Sequence, residues 1–427
     1  MQPPASAGLF RSPENLPWPY NYMDYLVAGF LVLTAGILLR PWLWLRLRNS
    51  KTKDGDEEED NEEKKKGMIP NGSLGWPVIG ETLNFIACGY SSRPVTFMDK
   101  RKSLYGKVFK TNIIGTPIII STDAEVNKVV LQNHGNTFVP AYPKSITELL
   151  GENSILSING PHQKRLHTLI GAFLRSPHLK DRITRDIEAS VVLTLASWAQ
   201  LPLVHVQDEI KKMTFEILVK VLMSTSPGED MNILKLEFEE FIKGLICIPI
   251  KFPGTRLYKS LKAKERLIKM VKKVVEERQV AMTTTSPAND VVDVLLRDGG
   301  DSEKQSQPSD FVSGKIVEMM IPGEETMPTA MTLAVKFLSD NPVALAKLVE
   351  ENMEMKRRKL ELGEEYKWTD YMSLSFTQNV INETLRMANI INGVWRKALK
   401  DVEIKGKFLN YKLIFLVMKL YNFLVGE

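Results

Sequence analysis

The sequence predicts a mainly α-helical domain with a small β-sheet, held to a membrane by one N-terminal helix. Three observations carry this. From about residue 124 onward, apolar residues recur at three- and four-residue spacing, the period of a helix with one buried face. Short β-branched runs flank that region, at 107–122 and in DVEIKG at 401–406. Residues 25–39, YLVAGFLVLTAGILL, carry no charge at all.

The membrane segment comes first in the chain. With Arg40 reaching to the interface, the apolar run extends to Leu45, and 21 residues span about 31 Å as a helix, the thickness of a hydrocarbon core. Trp42 and Trp44 stand at interfacial depth. Arg40, Arg46, Arg48, Lys51 and Lys53 follow, so residues 1–24 are expected on the lumenal side and the rest in the cytosol. A cleaved signal peptide fits less well, because small residues are missing where cleavage would occur. Residues 46–67 are a charged linker whose core, NSKTKDGDEEEDNEEKKKG, has nothing to bury.

The globular part opens at MIPNGSLGWPVIGE, 68–81, where prolines and glycines impose turns rather than a helix. Two strands, KVFKTNI and TPIIIST, come next. Helical patterns follow at 188–200, 206–223, 261–280, 309–338 and 373–388, broken by the polar loops TTTSPAND and DGGDSEKQSQPS.

Bulk numbers narrow the function. A chain of 427 residues, 44% hydrophobic, can bury a large core. A net charge of +5 at this size is no nucleic-acid signal. Two cysteines, Cys88 and Cys247, exclude a disulfide framework and a four-ligand zinc site of the usual kind, and suit a reducing compartment.

Three stretches could carry chemistry. In MMIPGEETMPTAMTLAVKFL, 319–338, Pro322 and Pro328 interrupt an apolar helix, so local unwinding or a kink is expected. Thr326 then lies mid-helix with Glu325 beside it as an acid for proton transfer; a polar stretch facing water is the plainer alternative. In VINETLRMANIINGVWRKALKDVEIKG, 380–406, Glu383 and Arg386 share one helical face and can pair. In GPHQKRLHTLIGAFL, 160–174, a basic helix could clamp an anion or simply face solvent; His162 and His167, five apart, are a poor metal pair.

Taken in order, the anchor, proline-rich entry, small sheet, basic helix, interrupted helix, E-x-x-R helix and final strand resemble a microsomal cytochrome P-450, a haem-thiolate monooxygenase. Gly323, Glu325 and Thr326 match its G-x-[DE]-T oxygen-activation motif, with Pro322 where Ala or Gly is usual. Within the family, GSLGWPVIGET, RPVTFMDKR, STDAEVNKVVLQ and MTLAVKFLSDNP are similar to plant brassinosteroid hydroxylases of the C-23 type. The resemblance implies the P-450 fold over 68–406, haem b, O2 and an NADPH-cytochrome reductase, a sterol or brassinosteroid substrate, and a single-pass endoplasmic reticulum membrane protein facing the cytosol. It implies that Glu325 and Thr326 move protons, that Glu383 and Arg386 form the structural pair, and that His167 and Arg396 meet the haem propionates. His167 departs from the family's Arg at its position. Residues 246–255 and 389–395 fall on substrate-contact segments.

The resemblance also requires a thiolate on the iron, from an F-x-x-G-x-x-x-C-x-G loop downstream of DVEIKG. Neither cysteine of this sequence fits: after Phe241 and Gly244, Cys247 comes one residue early, and Cys88 lies beside the entry segment. The axial ligand is therefore absent from the 427 residues; haem is not expected to bind stably, and the chain is expected to be inactive. Residues 407–427, KFLNYKLIFLVMKLYNFLVGE, read as a non-family tail translated from unspliced intron, or as an amphipathic interfacial tail. Absence of the following segment is expected to leave apolar surface bare and a strand edge open.

Overall fold

The computed structural model describes residues 70–418, leaving out 77–78, 90–94, 114, 133–136, 152, 159, 282–287, 298–307, 392, 405–406 and 410–413. The expected lumenal segment, anchor and charged linker lie outside the described residues. No helix among the described residues is long and apolar enough to cross a membrane.

The entry segment is pinned to the first strand. Trp76 and Gly80 exchange backbone hydrogen bonds of 3.1 and 2.8 Å, and Glu81 N–H donates to the Asn112 carbonyl at 2.7 Å. Gly80 has φ +67° and a Cβ there would sit 2.3 Å from the Asn112 carbonyl oxygen, so the approach needs glycine. Helices α1 (Thr82–Gly89) and α2 (Thr96–Tyr105) follow. Arg101 of α2, almost fully buried, grips Glu81 with two bonds of 2.9 and 2.8 Å. Thr111 also donates to this carboxylate, and these partners outweigh its burial and hold its pKa below the usual value.

The sheet has five strands in the order β1-β2-β7-β4-β3. β1 (Val108–Ile113) and β2 (Thr116–Ser121) form the expected antiparallel pair. β3 (Phe138–Pro140) and β4 (Gly393–Ala398) pair at the other end. β5 (Val402–Ile404) and β6 (Lys407–Leu409) form a separate two-stranded unit. β7 (Ile414–Met418) joins the two halves of the larger sheet, parallel to β2 and antiparallel to β4.

Side chains of a strand alternate between faces, and here both faces are covered. Ile119 and Val417 enter one cluster with Val126 and Val130 of α3 (Ala124–Gln132). Ile118, Ile120, Leu416 and Met418 enter the other, with Phe97 and Met98 of α2. The strand edge expected to stay open at the end of the chain is filled, because the residues read as a tail supply the middle strand.

Helices α4 (Lys144–Leu150), α5 (Pro161–Leu174) and α6 (Pro177–Trp198) precede the main helical core. That core is made by α7 (Val206–Met223), α8 (Glu229–Ile242), α9 (Arg256–Ala281), α10 (Val291–Arg297) and the first half of α11 (Ser309–Asp340). Phe215, Phe238 and Phe241 are fully buried at its centre, with ring centroids 5.6 and 5.7 Å apart. Burial of such a side chain contributes roughly 1.5–3 kcal/mol.

Three helices close the helical part: α12 (Pro342–Leu362), α13 (Trp368–Ser373) and α14 (Ser375–Ala388). Glu351 of α12 caps α14 from outside, accepting from the backbone N–H of Phe376 and of Thr377, each at 2.8 Å. These donors would otherwise be orphaned at a helix start, and they hold the Glu351 carboxyl below its usual pKa against its desolvation.

Candidate functional site

The two motif-bearing helices meet: α11 packs against α14, and α12 touches both. α11 is helical without a break from Ser309 to Asp340, so the unwinding expected at Pro322 and Pro328 does not occur. Each proline forfeits one ladder bond, while burial of the first half and threonine hydroxyls returning to carbonyls support the rest. Thr326 donates to the Pro322 carbonyl, Thr329 to that of Glu325 at 2.5 Å, and Thr332 to that of Pro328 at 2.7 Å.

Gly323 sits where α7 presses on α11. A Cβ there would lie 2.5 Å from Leu218 Cδ2, so glycine permits the close crossing. Glu325 is exposed and pairs with Lys211 of α7 at 2.8 Å. Thr326 is half-buried next to it.

The buried acid of the motif is the one sequence reasoning passed over. Glu324 is only 3% exposed, and its Oε2 has no hydrogen-bond partner. Burial pushes its pKa up to about 7, against the pull of Lys211 and Lys235 and with help from Glu239 and Glu325. A signal was present: Ile316, Met320, Glu324 and Pro328 follow each other at four-residue steps along the buried stripe.

Glu383 and Arg386 of α14 do pair, and the pairing is bidentate, with Nε to Oε2 at 2.6 Å and Nη2 to Oε1 at 2.5 Å. The pair is about half exposed, 55% and 54%, and the guanidinium keeps the Glu383 carboxyl below its usual pKa. Thr384 is the single buried residue of α14.

His167 lies exposed on α5, which packs on α6 and α10. Arg396 lies half-buried on β4, opposite Phe415 of β7 and Pro140 of β3, and its Nη1 donates to the Trp395 carbonyl at 2.9 Å. No hydrogen bond joins His167 to Arg396 among the described residues. Of the two segments expected to contact substrate, 246–255 presents Ile246, Ile248, Ile250 and Phe252 to solvent, and 389–395 begins at Asn389, a left-handed residue with φ 44°.

The cysteines do not fit a haem-thiolate centre. The Cys247 thiol donates to the Gly244 carbonyl at 3.2 Å, and burial pushes its pKa up to about 11, away from the thiolate an iron ligand must be. Cys88, on α1, donates to Asn84 Oδ1. Neither thiol is therefore suited to ligate a haem iron.

Comparison with known proteins places the arrangement. The chain is 48% identical over 396 residues to cytochrome P450 90D2 of Brachypodium distachyon, covering 91% of this chain and 74% of the relative. It is 50% identical over 343 residues to 3-epi-6-deoxocathasterone 23-monooxygenase CYP90D1 of Arabidopsis thaliana, covering 79% and 69%. Retinoic acid bound cyanobacterial CYP120A1 shares the fold, with a TM-score of 0.71 at 24% identity over 82% of this chain and 77% of that one. The cytochrome P450 family model matches residues 70–419, which carries the likeness past Gly406 and through β6 and β7. With its mainly helical body, small sheet and paired motif helices, the chain belongs to the cytochrome P450 family.

Proposed function

We propose that the chain is built on the scaffold of a brassinosteroid side-chain hydroxylase of the C-23 type, and that these 427 residues on their own do not hydroxylate. The observation that carries the first half is the 50% identity over 343 residues to the Arabidopsis 23-monooxygenase. The second half rests on cysteine chemistry: one thiol is held protonated and the other belongs to the entry helix.

Several finer points belong to this reading. Residues 25–45 anchor the chain in the endoplasmic reticulum membrane with the helical domain in the cytosol. An NADPH-cytochrome reductase is the redox partner of the complete enzyme, and the substrate is a steroid. When an axial thiolate is supplied from elsewhere, haem b gives the oxygen chemistry. His167 and Arg396 would then hold its carboxylates, and Glu325 with Thr326 would supply or move a proton. A non-catalytic, membrane-anchored binding or competitor protein is the role left to the chain by itself.

The test is a reduced carbon monoxide difference spectrum on microsomes expressing this chain, beside a chimera extended with the C-terminal region of the Arabidopsis relative. The thiolate-haem band is expected from the chimera alone. A band of equal size from the 427-residue chain would overturn the second half of the reading. No band from a well-expressed chimera would overturn the first.

A further inference from the structure

Glu324 lies where α7 and α11 cross closely. Its neighbour Gly323 has no room for a side chain, since a Cβ there would meet Leu218 Cδ2 at 2.5 Å. Glu324 is almost fully buried, and its Oε2 has no hydrogen-bond partner. A buried carboxyl oxygen without a donor is tolerable while the group is neutral and costly once it ionises.

Four charges act on it. Lys211 comes from α7, Lys235 and Glu239 from α8, and Glu325 from its own helix. Two cations and two anions cancel, so neutral Glu324 completes a neutral cluster. Ionised Glu324 leaves that cluster with one negative charge in excess. Charged groups on other helices packed against α11 are engaged elsewhere: Lys272 of α9 pairs with Asp310 at the start of α11, and Arg386 of α14 pairs with Glu383.

Lys211 is placed to answer that excess. Its ammonium sits 2.8 Å from Glu325 Oε1, and Glu325 is the next residue along α11. The Glu325 side chain is 53% exposed, and an ion pair that open to water is weak. A lysine head on a flexible stem can turn from it to the adjacent carboxylate without any backbone movement. Lys235 has a carboxylate of its own, Glu239, at 3.9 Å one turn along α8.

We propose that Glu324 operates Lys211 as a two-position switch. Protonated, Glu324 leaves Lys211 on Glu325. With the proton lost to solvent, the Glu324 carboxylate draws the ammonium off Glu325 and into the α7–α11 crossing. Burial sets the changeover near neutrality, at about 7, and the new pair repairs only part of the burial cost. The two lysine positions rest on this geometry and not on the steroid reading. Their consequence, a Glu325 carboxylate released from its ion partner, deepens the proton role proposed for Glu325.

The test pulses the full 427-residue chain in detergent with acetic anhydride between about pH 6 and about pH 8, and mass spectrometry reads Lys211 against the exposed Lys269. The Lys211-to-Lys269 labelling ratio is expected to fall about threefold or more as pH rises through 7, because the amine moves from an open pair into a buried crossing. Glu324→Gln keeps the shape without the titration and is expected to hold the ratio flat. Infrared difference spectra over the same pH range are expected to show a protonated buried carboxyl lost from the unmodified chain, and no such band in Glu324→Gln. A flat ratio in the unmodified chain would overturn the proposal, whether or not the variant folds. So would an equal fall in Glu324→Gln, since another group would then move the lysine. A carboxyl band unchanged across the range would overturn it as well. None of these outcomes depends on whether the chain ligates haem, which the carbon monoxide spectrum decides separately.

Discussion

α7 and α12 are helices of similar length with opposite surroundings. α7 has 18 residues and buries seven of them, among them Phe215 and Val219 at full burial. α12 has 21 residues and buries two, Met355 and Lys359. The division continues through the molecule. α8, α9, α10 and the first half of α11 share one apolar core, whereas α14 buries a single threonine and α6 buries two residues of 22. Helical stability in proteins comes mostly from tertiary packing of an apolar face. The difference therefore says that, among the described residues, one side of this fold is packed around an apolar core and the other is largely bare.

Substitutions can break that comparison, and the largest effect is expected in the sheet. Val417 lies in the central strand, 4% exposed, with β2 on one side and β4 on the other. Val417→Asp buries an unpaired charge there and is expected to unfold the sheet, read as loss of soluble protein and of the cooperative urea transition. In the helical core, Phe238→Ala is expected to cost about 3–5 kcal/mol, whereas Met353→Ala on the bare face should change stability by less than about 0.5 kcal/mol. Equal costs in urea titrations would abolish the distinction between the two sides.

Glu324 gives a smaller effect with a pH signature. Its folded pKa, about 7, lies above the ordinary 4.5, so the folded state holds a proton that the unfolded chain has lost between those values. Stability should therefore be full below about pH 4.5, fall as pH rises towards 7, and level off above. Glu324→Met is expected to flatten this limb and gain about 1–3 kcal/mol at pH 8. An unchanged pH profile in the variant would show that the carboxyl finds water or a partner. The smallest effect is expected at the E-x-x-R pair. Exposed as it is, Glu383→Ala should cost no more than about 1 kcal/mol in the chain alone. A loss of several kcal/mol would mean that α14 is already covered.

Much of this was legible in the sequence. Helical spacing located α7, α9, α11 and α14, and the β-branched runs located β1 and β2. Spacing showed that Glu383 and Arg386 can pair, and the family resemblance singled that pair out from the many helices with the same spacing. What spacing leaves open is whether a stripe is covered, because coverage depends on an element elsewhere in the chain or outside it. That is why the pattern at 373–388 located α14 without showing that Thr384 alone of it is buried, and α12 at 342–362 went unread. β7 was hidden for a different reason. IFLVM is short, apolar throughout and followed by a lysine, and a strand buried on both faces shows no alternation to reveal it. At 322–328 the two prolines predict a break, whereas the helix runs on through them and Glu324 lies on its buried stripe.

Hydrogen exchange on the 427-residue chain tests the central claim most directly, since it reads local opening along the backbone. The account predicts strong protection in α7, α9 and the first half of α11, and weak protection in α12 and α14. Protection in α12 and α14 equal to that of α7 in the chain alone would contradict it.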